Sequence, residues 1–251
     1  GALTNIHSNS HRLFVSFEDR TYMTQRDDSL VTKSGSEVFL GTGDLFSRRS
    51  LPLSEELTGI TGSVDKYSWF SSRHGTYWLD RKRKKLFKFT DKLETISDLA
   101  ASKWFQEFLN KQTPNNYRQN FKGIYDNHYD THYFTDGQRD CNWTLSYKNG
   151  LGFQSFHSFL PISYFWNSND YLTANETGIW KHNQRYDKDN NLTYQTYYDT
   201  QYPYSLTYTI SEKQQPFLLQ NIELKNEVTT ELSYNTQKYH QDLFFNKIQV
   251  W

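Results

Sequence analysis

The sequence predicts an all-β fold: antiparallel hairpins arranged as propeller-like blades, with one short inserted helix and a further β-rich module behind them. Three observations predict it. Short runs rich in Tyr, Phe, Thr, Val and Trp alternate with clusters of Asn, Asp and Gly, the pattern of half-buried strands joined by tight turns. Four successive turn centres fall near residues 129, 149, 169 and 189, a spacing of about 20 residues per hairpin. The 251 residues include 7 Trp, 19 Tyr and 18 Phe, enough large rings to close a core that the modest aliphatic content would not. Two hairpins make four strands, and four strands per roughly 40 residues is the period of a propeller blade. Regular hairpins alone would also suit a sandwich.

Taken in order, Arg12 to Phe17 and Thr21 to Thr24 flank Glu18-Asp19-Arg20 as a first hairpin, and Gly75 to Leu79 and Lys85 to Phe89 flank Asp80 to Lys84 as a second. Ile124-Tyr125 pairs with His132 to Thr135. Trp143 to Tyr147 pairs with Phe153 to His157 around Lys148-Asn149-Gly150, where Asn-Gly is a strong hairpin signal. Ser163 to Trp166 and Tyr171 to Ala174 flank Asn167 to Asp170, and a further polar turn covers Asp187 to Asn191. Two interruptions break the repeat. Ser97-Asp98 caps an expected helix at about 97–111, with Leu99, Trp104, Phe105 and Phe108 on one side. Gly41 to Gly62 reads as loops, with a helical turn at Ser54 to Leu57. Residues 1–200 are thus read as the propeller-like domain. Residues 201–251, with longer strands at Tyr204 to Ile210 and Leu218 to Leu224, are read as the start of a second, incomplete β-rich module. The start at Gly1 and the strand-like end at Phe244 to Trp251 lead us to expect a piece of a larger polypeptide.

Lys plus Arg and Asp plus Glu are 28 each, so the formal charge is zero, which weighs against a basic nucleic-acid binder. Leu, Ile, Val and Phe make up about 23% of the chain, above the rough 20% below which charged chains stay disordered. No run of about 18 apolar residues is present, so no membrane-spanning helix and no membrane partner are expected. The single Cys141 rules out an intrachain disulfide and a multi-cysteine zinc site.

The chemical motifs mostly favour plain structural readings. Asp187, Asp189 and Asn191 open like a calcium loop, but Leu192 stands where Gly is needed and Tyr198 where a bidentate Glu is needed. His128 and His132, with Asp126 and Asp130, could hold a transition metal, yet they straddle a turn and read better as polar turn residues. Gly41-Thr42-Gly43-Asp44 lacks a phosphate-cradling continuation, and no GxSxG occurs. No catalytic residue, cofactor or metal site is assigned, and the chain is read as a non-enzyme. Two stretches remain as contact surfaces. Arg81, Lys82, Arg83, Lys84 and Lys85 form the densest charge run, a solvated tip that would be the first place to meet DNA or an acidic partner. Tyr194, Tyr197, Tyr198 and Tyr202 form a cluster too dense to be wholly buried. An alternative reading makes the chain a receptor-recognition module that binds glycans through such exposed Tyr and Trp faces.

Five segments, in this order, carry a resemblance: Phe39 to Pro52 (FLGTGDLFSRRSLP), His74 to Phe89 (HGTYWLDRKRKKLFKF), Lys103 to Leu109 (KWFQEFL), Gly123 to Thr135 (GIYDNHYDTHYFT) and Trp143 to Pro161 (WTLSYKNGLGFQSFHSFLP), with Thr177 to Asn183 as a trailing piece. Together they resemble the tail muzzle, or stabilisation, proteins of crAss-like bacteriophages, over most of residues 39–182. The resemblance implies a virion structural protein made in the bacterial host cytoplasm and placed at the distal end of a short tail. It further implies identical copies, six-fold, in a ring around the DNA exit path, beside other tail and cargo proteins and in transient contact with DNA in the lumen. The ring would retain DNA and cargo and then release them, and no catalytic residue is carried over. The N-x-T triplets at Asn142, Asn175 and Asn191 would stay unglycosylated in such a host.

Overall fold

The computed structural model describes residues 1–9, 12–25, 27–31, 37–41, 49–55, 59–99, 101–110, 121–137, 142–167, 170–184, 186–190, 193, 195–207, 228–233 and 236–240. For 25, 27–31, 37–41, 55, 110, 228–233 and 236–240 it describes the backbone alone. The chain divides into two compact units, Gly1–Tyr204 and Ser205–Trp251. In the second, the described residues form one antiparallel hairpin, Val228–Ser233 with Thr236–His240.

The first unit is a succession of antiparallel sheets in chain order, so the all-β expectation holds. Strands β1 (Leu3–Asn9), β2 (Arg12–Phe17) and β3 (Thr21–Gln25) run as a meander. A separate hairpin, β4 (Asp27–Val31) with β5 (Glu37–Gly41), follows before β6 (Leu51–Pro52) returns to the edge of β3. Next comes the short pair β7 (Ser54–Glu55) and β8 (Gly59–Ile60). The second four-stranded sheet is β9 (Phe70–Ser72), β10 (Gly75–Asp80), β11 (Lys85–Phe89) and β12 (Leu93–Thr95). A 3-10 turn at Ile96–Leu99 and helix α1 (Ser102–Asn110) lead to the third sheet: β13 (Phe121–Asp126), β14 (Thr131–Asp136), β15 (Trp143–Lys148) and β16 (Gly152–His157). The fourth has three strands, β17 (Ser163–Asn167), β18 (Asp170–Ala174) and β19 (Ile179–Lys181). The hairpin β20 (Thr196–Tyr197) with β21 (Thr200–Gln201) follows.

Period-two alternation explains how these sheets pack. In β10 every residue is buried, because Tyr77 and Leu79 point into one apolar layer and Trp78 into another. The layer between the first and second sheets holds Phe14, Trp69, Trp78, Phe87 and Phe89, with Trp69 stacked on Trp78 at 4.3 Å. The layer between the second and third holds Tyr77, Leu79 and Leu86 against Phe121, Phe134, Leu145 and Tyr147, closed at one side by Phe105 and Leu109 of α1. The layer between the third and fourth holds Ile124, Tyr133, Phe159 and Tyr171. The opening strands of consecutive sheets lie side by side: β9 runs next to β13, and β13 next to β17. β1 joins this row through hydrogen bonds from Asn5 Nδ2 to the Lys66 carbonyl (2.6 Å) and from Asn9 Nδ2 to Thr76 Oγ1 (2.8 Å), and through a His7–Ser71 side-chain bond (2.7 Å).

Several expectations need correction. The α-helix starts at Ser102 and not at 97, because the Ser97 hydroxyl accepts from the Leu86 amide (3.2 Å) instead of capping the helix, and Asn110 is the last described residue of the helix. Leu99 is 72% exposed and lies off the apolar side, whereas Trp104, Phe105 and Phe108 pack as expected. Ser54 and Glu55 form a strand, not a helical turn. Residues 204–207 carry no strand, and 208–227, with Leu218 to Leu224, lie outside the described residues, as does Phe244 to Trp251.

Candidate functional site

The charge run sits on the β10–β11 turn, but its five side chains do not form a free basic surface. Arg81 is 6% exposed. Its Nε and Nη2 donate to both carboxylate oxygens of Asp65 at 2.8 Å, and its Nη1 donates to Asp136 Oδ2 at 2.8 Å. That arginine is a buried cross-link from the second sheet to the third, which corrects its reading as a contact residue. Burial opposes its charge, yet the two carboxylates hold it above its ordinary value. Burial also pushes the Asp65 carboxyl up to about 6, against the pull of the guanidinium. Lys82 donates to Asp19 (2.7 Å), Arg83 pairs with Asp80 (2.8 Å) and Lys85 with Asp98 (2.6 Å). Lys84, at φ +57, makes the left-handed turn and is the member of the run with no carboxylate partner among the described residues.

The tyrosine cluster is also part of the packing. Tyr198 and Asp199 both have positive φ (54 and 60), the geometry of a tight two-residue hairpin turn between β20 and β21. That turn lays Tyr197 on Phe159 (5.0 Å between centroids), while Tyr198 donates to Thr173 Oγ1 (3.1 Å) and meets Trp180 edge-on. Both are half-buried lids on the third layer. Tyr202 packs against Tyr197 at 6.2 Å. Tyr194 lies outside the described residues.

The four residues considered for a metal are dispersed. His132 is fully buried. Its Nδ1 must donate to the Tyr147 carbonyl (3.3 Å), so Nε2 accepts from Ser72 Oγ (2.9 Å), and burial lowers its pKa to about 4. Asp130 accepts from Tyr125 Oη, His74 Nε2 (2.6 Å) and Arg73 Nη2 (2.9 Å), which hold its carboxyl well below the usual range. Asp126 caps its own turn, accepting from the His128 amide at 2.9 Å. Among the described residues no group of His, Cys, Asp and Glu is arranged to hold a metal ion. In the calcium-like stretch, Asp187 Oδ1 accepts from the Asp189 amide (2.9 Å), and Asn191 lies outside the described residues.

Sequence reasoning missed a polar notch of about 200 Å³ where the β13–β14 turn meets the start of β18 and the exit from β19. Asp126, His128, Asp170, Tyr171, His182 and Asn183 line it, with Gln184 beside them. Asn183, at φ +60, donates from Nδ2 to Asp126 Oδ2 (2.9 Å), and Lys181 fixes Asp170 at 2.6 Å. Only Asp126 and His128 carried a signal in the sequence, because the partners 57 residues away come together only through packing of the third sheet on the fourth.

No curated protein matches the chain. The model of the family described as Crassvirus muzzle protein matches residues 14–177, about two thirds of the chain, from β2 to the turn after β18. That span takes in all three apolar layers and the five ordered segments that first carried the resemblance, and on it the chain belongs to the Crassvirus muzzle protein family.

Proposed function

We propose that this chain is a structural and assembly protein of a crAss-like phage tail. In this reading it is a rigid, propeller-like β scaffold, and six identical copies close into a ring at the distal tail beside other tail and cargo proteins. The ring retains DNA and cargo before ejection and opens a path afterwards. The observation that carries the scaffold reading is the row of opening strands β9, β13 and β17, from which successive sheets extend with apolar layers between them. This is how blades radiate from an axis. Copies related by a heterologous contact that closes on itself make a ring.

The side-chain chemistry supports a mechanical role. The densest charge run is neutralised by Asp65, Asp136, Asp19, Asp80 and Asp98, so DNA sliding past it meets little net field and is not gripped. The Ser72–His132 contact has the partners of a nucleophile and base. However, a histidine held neutral down to about pH 4, with a backbone carbonyl behind it, is a poor base.

Cryo-electron microscopy of purified virions tests the proposal. A closed ring of this chain at the distal tail is expected. Density on peripheral fibres, or absence from the particle, overturns it.

A further inference from the structure

We infer that the outer face of the fourth sheet in one copy docks on the outer face of the first sheet in the next copy. The inference rests on the ring reading above and names the two surfaces that join its copies. Within the first unit, the second and third sheets each contribute to two apolar layers, one on either side. The first and fourth sheets each contribute to one. If water were the final neighbour of the end sheets, their outer faces should be polar. They are not.

On the first sheet Phe14 and Met23 point toward the second, so the residues beside them along each strand point away. Across the pairing register those residues make an apolar row with one member from each strand: Ile6, Val15, Tyr22 and Pro52. Ile6 is 61% exposed, and Pro52 is exposed beside half-buried Val15 and Tyr22. On the fourth sheet Tyr164 and Tyr171 point toward the third, which turns Phe165 and Leu172 outward together with Ala174 and Ile179. Ile179 is 70% exposed and Phe165 43%. Apolar residues grouped on an exposed sheet face mark an interface.

Charge selects which faces meet. Inside the unit, the turns joining the second and third strands of consecutive sheets meet through opposite charges: Lys82 donates to Asp19 at 2.7 Å, and Arg81 to Asp136, at the head of the next such turn, at 2.8 Å. At the two ends of the series these turns carry Arg20 on the first sheet and Glu176 on the fourth, both exposed and neither in an ion pair among the described residues. Fourth sheet against first supplies each with its opposite charge, whereas either face against itself supplies none on these turns. The contact is heterologous: each copy gives one face and receives the other, so the same contact repeats from copy to copy.

Sedimentation velocity of the 251-residue chain at concentrations up to about 1 mM, where weak contacts register, is the test. Concentration-dependent association is expected, weakened about tenfold or more by Ile6→Glu and equally by Ile179→Glu. Mixed in equal amounts, these two variants should form a one-to-one pair and nothing larger, because each keeps one intact face. Arg20→Glu should also weaken association, and adding Glu176→Arg to the same chain should restore it. Melting curves verify folding, and the charge exchange decides the matter if either isoleucine variant does not fold. A parent chain that stays monomeric throughout, a mixture that stays monomeric, or one isoleucine variant that associates as the parent does overturns the inference. A ring in virions whose copies meet through other faces overturns the inference alone, whereas the absence of any ring overturns the reading beneath it as well.

Discussion

Gly123 of β13 lies flat against the ring of Phe70 in β9, so close that a Cβ at 123 would sit 2.2 Å from the ring's Cε1. The two opening strands approach one another because one residue has no side chain. Gly123→Ala should therefore destabilise the first unit by about 1–3 kcal/mol, the usual cost of overpacking a filled site. Urea denaturation followed by tryptophan fluorescence measures this, and the double variant with Phe70→Leu should recover part of the loss.

Arg81 neutralises two buried carboxylates at once. Removing it as Arg81→Met leaves Asp65 and Asp136 without the guanidinium that pairs with both, with an expected loss of about 3–5 kcal/mol. Lys84→Ala, three residues further along the same run, should stay within about 0.5 kcal/mol. Equal effects at the two positions, measured in the same urea titration, would refute the division of the run into a structural arginine and a solvated lysine.

Burial holds His132, His157 and His182 at about 4, and His157 adds to the lowering at His182. A histidine whose folded value lies below its ordinary 6.5 contributes fully above that value and loses the contribution as pH falls toward 4. Three such histidines outweigh Asp65, whose raised value of about 6 acts in the opposite direction, so the melting temperature should drop between pH 6.5 and 4. For fully buried His132 alone the loss approaches about 3 kcal/mol at the acid end. A melting temperature that is flat or rises across this interval would contradict the neutral, buried assignment.

Asn175 Oδ1 accepts four hydrogen bonds, from the Thr177 amide and hydroxyl, the Gly178 amide and Trp180 Nε1. One side-chain oxygen thus organises the whole β18–β19 turn. Asn175→Ala should cost on the order of 1–3 kcal/mol, since the donors lose a fixed acceptor. Faster hydrogen exchange at 177–180 than at β15 would show the loosening directly.

Hairpins were legible in the sequence wherever aromatic and β-branched runs met a polar turn: β10 with β11, β13 with β14, β15 with β16 and β17 with β18 all stand where the pattern put them. Illegible were the strands whose composition is turn-like. β1 is Leu3 to Asn9 with two Asn, a His and a Ser, and it forms because those polar groups find Lys66, Ser71 and Thr76 on the neighbouring sheet. β9 is three residues long and carries no periodicity to read. The surroundings of the two stretches read as contact surfaces were illegible for a related reason. A row of cations in a sequence says nothing of the carboxylates that packing brings to it, and Asp136 reaches Arg81 from 55 residues away. The notch was hidden in the same way, since Asn183 has meaning only beside Asp126.

Each apolar layer in the first unit is shared by two sheets that are consecutive in the chain. Stability in such an arrangement is a sum of nearest-neighbour couplings along one dimension. Most contacts join neighbouring sheets, so ordering can spread from one sheet to the next, while β1 waits for its partners at Lys66, Ser71 and Thr76. A chain of this kind can acquire its shape progressively as it leaves the ribosome. Damage such as a lost Trp78 weakens the sheets on either side of it far more than those further along.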